Sequence, residues 1–504
     1  MAVCLAAIHS RQEQRLAGSG HLISGHKPSD QKPSGPRSFL GIREALAFRR
    51  SPLTYLQQLA ADYGDVVHFR LGWKHAFLLN HPDLVHEFFV MHASRQVRGP
   101  VMQRARTVMG NGLLTSEDPL HSVQRRVIQP AFHREQLAGY ARFMGEYSRK
   151  ACEGWREGEV IDLRKEMLAL TLSILGKTLF DRKIEEDAGE IAEAVTALMS
   201  LVDLVFVPFS NYLMQLPIPG MRRVRRVRER FDRLIYSLIE QRMRDGIDGG
   251  DLLSVLLRHQ PTEGSRAQAM RQVRDECLTL LLAGHETIAN ALTYALFVLA
   301  KHPEHVRRIR KEVEVVAGNV DLNADHYEQM PVTRSAFLEA MRLFPPVWVL
   351  GRALSESCNI GTVRVPKGAV VFASQYLLHR DPRFFSEPED FRPSRFLDSA
   401  KTHPFAYFPF GLGPRRCVGE GFALMEGTLA LGTILQQWDV ELLPETELVL
   451  DPKVTLRPKK PVLVRLRSVT VGSSSRCDET TLAAGELASD PLGSCPTTRA
   501  VARQ

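Results

Sequence analysis

No stretch of the 504 residues approaches the run of about 20 apolar residues that a membrane-spanning helix needs. The apolar run at Met1–Ile8 is too short for a usual signal-peptide core and has no basic residues before it, so neither a signal nor an N-terminal anchor helix is predicted. Arg11 and Arg15 hint at a transit peptide, but Glu13 and Asp30 argue against one. The seven cysteines, Cys4, Cys152, Cys277, Cys358, Cys417, Cys477 and Cys495, are scattered, odd in number and form no C-x-x-C pair. A disulfide framework and a zinc site are thereby disfavoured, and a reducing, cytoplasmic setting is predicted. No basic run interleaved with aromatics points to nucleic acid, and no internal repeat points to a solenoid.

What is present is the composition of an ordinary globular protein, 44% hydrophobic and 24% charged, with a formal net charge of +8 carried mainly by its central part. Residues 1–36 read as a flexible leader, 37–467 as the folded body and 468–504 as a disordered polar tail. Near the start of the body, Asp65–Leu71 and His75–Leu79 flank Gly72-Trp73-Lys74 and predict a β-hairpin. Helical periodicity dominates from there to Phe344, and strand signals return at Ala369–Phe372 and Val462–Leu466. The body is predicted to be mainly α with a smaller β-rich part.

The most informative segment is Phe410-Gly411-Leu412-Gly413-Pro414-Arg415-Arg416-Cys417-Val418-Gly419, which sets one cysteine between a glycine-rich turn and a helix predicted over Val418 to about Trp438. The positive end of the helix dipole, with Arg415 and Arg416 nearby, predicts a lowered thiol pKa and a soft anionic metal ligand. Gly411, Gly413 and Gly419 place no Cβ around the sulfur and leave room for a flat cofactor. A cysteine hydrolase is disfavoured, since no His or Asn pairs recognisably with Cys417. This run resembles the haem-binding loop of the cytochrome P450 family, F-x-x-G-x-R-x-C-x-G, at every fixed position.

A long helix is predicted from about Gln268 to His302, stopped by Pro303 and spanning about 50 Å. Its apolar middle breaks into Gly284-His285-Glu286-Thr287, and such polar groups in a buried helix are costly unless used. The Thr287 hydroxyl is placed to divert the carbonyl of Ala283 or Gly284 from its helical bond, with Gly284 leaving room for a groove. Ala283 to Thr287 is similar to the family's A-G-x-[DE]-T segment over the distal haem face. The resemblance makes Glu286 and Thr287 the acid and alcohol that relay protons to the oxygen being activated.

Glu339 and Arg342 share a helix face at i, i+3, and with Arg395 of Pro393-Ser394-Arg395-Phe396 they resemble the family's E-x-x-R and P-x-R-F elements. A buried, structural charge network is expected from them. His121 and Arg125, four apart, resemble the H-x-x-x-R of soluble bacterial members. With Arg352 and Arg415 they are the residues the resemblance assigns to the haem propionates.

The resemblance runs from His121 to Gly419 and implies a single large P450-type domain carrying haem b, with Cys417 as the proximal iron ligand. It also implies a monooxygenase that takes O2 and two electrons and hydroxylates or epoxidises a lipophilic substrate. A peroxide-using or isomerising member, or a non-catalytic haem protein, remain the alternatives. Val347–Leu350, the helix around Ala283 and Val97–Val108 are expected to line the substrate space, with Arg98, Arg104 and Arg106 available for an anionic end. Electrons are expected from a separate ferredoxin or flavodoxin with its NAD(P)H-dependent reductase, docking on a basic patch of Arg125, Arg126, His133, Arg134 and Arg416.

Overall fold

The computed structural model describes residues 33–38, 40–181, 219–246, 248–259, 265–397 and 403–469. The predicted leader and tail lie almost wholly outside the described residues. The longer helices, in chain order, are α1 (Ile42–Arg50), α2 (Pro52–Tyr63), α3 (Pro100–Met109), α4 (Leu120–Ile128), α5 (Arg134–Glu153) and α6 (Leu163–Phe180), followed by α7 (Pro219–Asp245), α8 (Leu252–Arg258), α9 (Arg266–Leu299), α10 (Pro303–Ala317), α11 (Pro331–Leu343) and α12 (Glu420–Gln437). Proline opens α2, α3, α10 and α11, where its fixed φ suits the first turn and its missing N–H costs nothing. A capping box between Ser265 and Gln268 starts α9. That helix has 34 residues, about 50 Å, and is buried around nearly its whole circumference, which makes it the central element of the main core.

The strands form a smaller β-rich part. β1 (Val66–Leu71) and β2 (Lys74–Leu79) make the predicted hairpin, and Leu71 pairs with Lys74 across a two-residue turn. They join β8 (Val370–Ala373), β5 (Leu350–Leu354) and β3 (Gln96–Arg98) in one sheet ordered β1-β2-β8-β5-β3. Only the β2–β8 pair in it is parallel. β4 (Val160–Asp162), β12 (Leu463–Ser468) and β9 (Trp438–Leu442) form a second sheet, while β6 (Cys358–Ile360) pairs β7 (Val363–Val365) and β10 (Leu450–Pro452) pairs β11 (Leu456–Pro458).

Three boundaries differ from expectation. α9 ends at Leu299, because His302 caps the next helix and Pro303 begins it. α12 starts at Glu420, since Arg416 to Gly419 leave the loop in non-helical turns, and Trp438 already belongs to β9. Ser34 bridges Val67 and accepts the His68 N–H at 2.8 Å, so the end of the expected leader is paired to β1.

Candidate functional site

The cysteine loop is held by its own backbone and by α4. The Cys417 N–H donates to the Phe410 carbonyl at 2.9 Å. Gly411 and Gly413 take φ of 77° and 71°, where other residues are strained, and a Cβ on Gly413 would overlap the Phe89 carbonyl. Gly419 meets no such constraint; a Cβ there would touch Phe132 at an ordinary 3.5 Å. Arg125 of α4 donates to the Arg416 carbonyl at 2.7 Å, fastening the helix to the loop.

The ionisation expected of Cys417 is corrected by its surroundings. Burial pushes the thiol up to about 11; the Gly419 N–H, Arg125 and Arg416 pull it down by less, and Glu420 adds to the rise. Arg416 does little because its guanidinium is engaged by Glu420 at 2.6 Å. The residue still has accessible surface. Both observations describe a sulfur that water can touch but that packed protein, not bulk water, surrounds. A deprotonated sulfur here needs a bound cation, as ligation to iron provides.

Beside the loop lies a cluster of buried cations. The β3–β5 register sets Arg98 directly opposite Arg352, a pairing of like charges that is unfavourable by itself. Arg98 is 4% exposed, and burial, then Arg352 and Arg415, hold its pKa well below the usual range. Burial and then Arg415 lower Arg352 to about 10. His121 is pushed down to about 4 by burial, then by Arg415 and Arg98, and is neutral near pH 7. Arg415 reaches Glu117 at 3.0 Å and the Ser116 carbonyl at 2.7 Å. Among the described residues only Glu117 and the more exposed Asp118 oppose these charges, and the buried Arg98 Nε has no hydrogen-bond partner. Three guanidiniums with one orphaned donor fit a ligand bearing carboxylates, as the propionates of haem do.

On α9 the helical hydrogen bonding continues through the polar break. The Thr287 hydroxyl donates to the Ala283 carbonyl at 2.6 Å, one of the two expected partners, but it does not open the helix as expected; Ala283, Gly284 and Thr287 are the accessible residues between Val273 and Leu299. Gly284 serves packing: a Cβ would approach Leu175 of α6 at 2.9 Å. Glu286 faces elsewhere. Its carboxylate, 3% exposed, meets Arg164 of α6 at 3.1 Å and Arg457 of β11 at 3.8 Å.

The charge network is fully formed. Glu339, with no solvent exposure, accepts from Arg342 at 2.8 Å through two nitrogens and from Arg395 at 3.1 Å. Arg342 also donates to the His379, Pro388 and Asp390 carbonyls, tying the segment ahead of the cysteine loop to α11.

Of the expected substrate lining, Val347, Val349 and Leu350 are partly accessible, but Trp348 is buried against Phe48 with its indole N–H on the Lys453 carbonyl. Arg106 donates to the Thr115 carbonyl, and Arg98 belongs to the cation cluster. The carboxylates of Asp275 and Glu276 on α9 accept the Asn111 and Leu113 N–H groups at 2.8 Å, fixing the segment that leads to Glu117. Sequence reasoning missed this clamp; the adjacent acids and the glycines at 110 and 112, whose absent Cβ atoms let the segment approach α9, were its available signal.

The family described as Cytochrome P450 matches residues 33–465. Cyclooctatin synthase of Streptomyces melanosporofaciens is 36% identical over 421 residues, covering 82% of this chain and 90% of its own. Cyclooctat-9-en-7-ol 5-monooxygenase of the same organism is 34% identical, covering 82% and 91%. Pentalenene oxygenase of Streptomyces avermitilis is 30% identical over 435 residues, covering 86% and 96%. The solved structure of CYP175A1 from Thermus thermophillus superposes with a TM-score of 0.70 at 28% identity, covering 87% of this chain and all of that one.

Proposed function

This chain belongs to the cytochrome P450 family and is a haem-thiolate monooxygenase of lipophilic substrates with haem b as its cofactor, and we propose that Cys417 ligates the iron while Arg98, His121, Arg125, Arg352 and Arg415 receive the propionates. The observation that carries this assignment is the buried pair Arg98 and Arg352 with the half-buried Arg415, whose charge is under-compensated by protein acids and whose neighbour Arg125 is bonded to the cysteine loop. Arg98 is an addition to the expected set. Phe410, Gly411, Gly413 and Gly419 of the cysteine loop and Ala283 and Gly284 of α9 would complete the residues that hold the haem.

Haem held by a thiolate supplies oxygen activation, in which one atom of O2 enters a C–H or C=C bond and two electrons and two protons take the other to water. The protein's share is placement and proton supply. Thr287 gives its hydroxyl proton to the Ala283 carbonyl and is partly accessible, so it would accept a hydrogen bond from, and position, the water that delivers a proton, giving up its own proton only after rotating off that carbonyl. Glu286, held by Arg164 and Arg457, would hand protons on from the interior by exchanging one of those partners for Thr287 or water.

The terpenoid names of the relatives support a terpene hydrocarbon or a partly oxidised terpene as substrate, and the aliphatic surface of Val347, Val349 and Leu350 suits it. The electron donor is proposed to be a cytoplasmic ferredoxin or flavodoxin. Of the expected basic patch, Arg134 meets Glu328 and Arg416 meets Glu420, while Arg126 is exposed beside Val123 and makes no ion pair among the described residues. A first-electron rate that ignores both salt and Arg126→Glu would remove that docking site. For the reaction itself, turnover of a terpene panel with O2, NAD(P)H and a surrogate ferredoxin pair is set against peroxide alone. Product only with peroxide would replace the monooxygenase reading by a peroxide-using one.

A further inference from the structure

Thr279 on α9 is 2% exposed, and its hydroxyl has no hydrogen-bond partner among the described residues. Other buried helical threonines spend theirs on the carbonyl four residues back, Thr171 on Met167, Thr178 on Ile174 and Thr293 on Ala289. A buried hydroxyl left unpaired is costly, and it keeps both a donor and an acceptor free. Against it lies Gly112, where a Cβ would overlap the Thr279 oxygen. One turn earlier stands Glu276, also 2% exposed, whose two oxygens accept the Leu113 N–H and the Gln272 amide at 2.8 Å each. Each carboxylate oxygen has a second lone pair, so a proton can sit on Glu276 without releasing either donor.

Glu276, Thr279, Ala283 and Thr287 follow one another at i+3, i+4 and i+4, which sets all four on one face of an unbroken helix. From Glu276 to Thr287 is about three turns, or about 16 Å. The middle of that stripe is open, since Ala283 is exposed and Gly284 and Thr287 are partly accessible. The small side chain at Ala283 leaves width for water between the two hydroxyls. At the other end Gln272, bonded to Glu276 and partly accessible, leads to solvent beside the exposed Arg271. Glu286 is off this stripe, turned to Arg164 and Arg457. Burial pushes the Glu276 carboxyl up to about 7; the Leu113 and Gln272 bonds oppose the rise and Asp275 adds to it. A proton donor works best near the operating pH. The neighbouring charges are engaged, Asp275 by Arg274 and the Asn111 N–H, and Arg274 also by Asp232 of α7. Residues 110–113 and Gln124 of α4 present no ionisable group to Glu276.

We propose that Glu276 is a second proton donor to the distal side, with Thr279 as its relay. The Glu276 carboxyl gives its proton to the Thr279 oxygen as the Thr279 O–H passes its own to a water beside Ala283. That water passes a proton to the one positioned by Thr287, and the Glu276 carboxylate is refilled from solvent at Gln272. No electron moves in these steps, and each breaks one O–H bond and forms another. The path rests on Thr287 as the group that positions the last water, and it names the source of that water's protons.

The test uses the full-length, haem-loaded protein, first without turnover. The infrared stretch of a protonated carboxyl should titrate near pH 7 and lose that component in Glu276→Gln, while Glu426, held protonated by burial, stays constant there. Under turnover, Thr279→Val should lower product per NAD(P)H by about tenfold, less than the ~100-fold or more of a sole donor because Glu286 and water remain. Thr279→Ser should restore the ratio. Glu276→Gln, which keeps an acceptor for the Leu113 N–H, should match Thr279→Val. The wild-type ratio should fall as pH rises through about 7, where the donor empties, and that fall should be absent in Glu276→Gln. A ratio equal to wild type in Thr279→Val or Glu276→Gln, with Thr287→Ala lowering it, overturns the proposal and leaves Thr287 in its role. An unchanged ratio in Thr287→Ala removes that role and the path with it. A deficit that Thr279→Ser does not restore makes Thr279 a packing residue and overturns the path. So does a carboxyl band with no component titrating between about pH 6 and 8.

Discussion

Removing the Glu339 carboxylate should destabilise the protein far more than loss of a surface ion pair. Glu339 and Arg342 have no side-chain exposure, and Glu339 also accepts the Arg392 N–H at 2.9 Å and Arg395 at 3.1 Å. Glu339→Ala leaves the Arg342 guanidinium buried with only carbonyl acceptors, those of His379, Pro388 and Asp390. An uncompensated buried charge costs about 3–5 kcal/mol, against under ~1 kcal/mol for an exposed pair. For a chain of this length each kcal/mol lowers Tm by about 1 °C, so a fall of about 3–5 °C is expected by circular dichroism. Absorbance at the haem band should fade at the same temperature, since the Arg392 N–H and Arg395, which lose Glu339, lie in the segment leading to the cysteine loop. The double variant Glu339→Ala/Arg342→Leu should lose less than the sum of the single ones, with a coupling of about 1–3 kcal/mol. A single-variant loss under ~1 kcal/mol, or strict additivity, would refute the buried network as the brace.

Thr287→Ala should retain haem and substrate binding but form less product per NAD(P)H consumed, the difference appearing as peroxide; an unchanged ratio would remove the hydroxyl from proton delivery. Arg98→Leu should weaken haem retention by at least about tenfold in a transfer assay to apomyoglobin, since it removes a guanidinium from the buried set; retention equal to wild type would return Arg98 to the substrate side. Burial holds His285 at about 4, with its Nε2–H on the Leu168 carbonyl at 3.1 Å. The unfolded chain takes up that proton near 6.5, so stability should be intact above about pH 6.5 and decline as pH falls toward 4, by up to about 1.4 kcal/mol per unit for this group. His285→Gln should flatten that part of the Tm profile, and an equal slope in both proteins would contradict the assignment.

What the sequence made legible was local. The hairpin around Gly72, the central helix around Ala283 and the i, i+3 spacing of Glu339 and Arg342 are set within one or two turns of chain, and the structure has them where the spacing puts them. What it hid depends on distant partners. Gln96-Val97-Arg98 is too short to show strand alternation, and only pairing with β5 reveals two arginines face to face. Glu286 reads as a neighbour of Thr287, yet its orientation is decided by Arg164 and Arg457, far away in the chain. The Cys417 pKa was misjudged because nearby charges can be counted in a sequence whereas desolvation cannot.

The claim on which the rest depends is that Cys417 is the proximal thiolate. The reduced carbonyl difference spectrum of Cys417→Ala, beside Cys152→Ala, Cys277→Ala and Cys358→Ala, tests it directly. The account predicts that the long-wavelength thiolate band disappears in Cys417→Ala alone and persists in the other three. A normal band in Cys417→Ala, or its loss in one of the other variants with Cys417 intact and the protein folded, would contradict it.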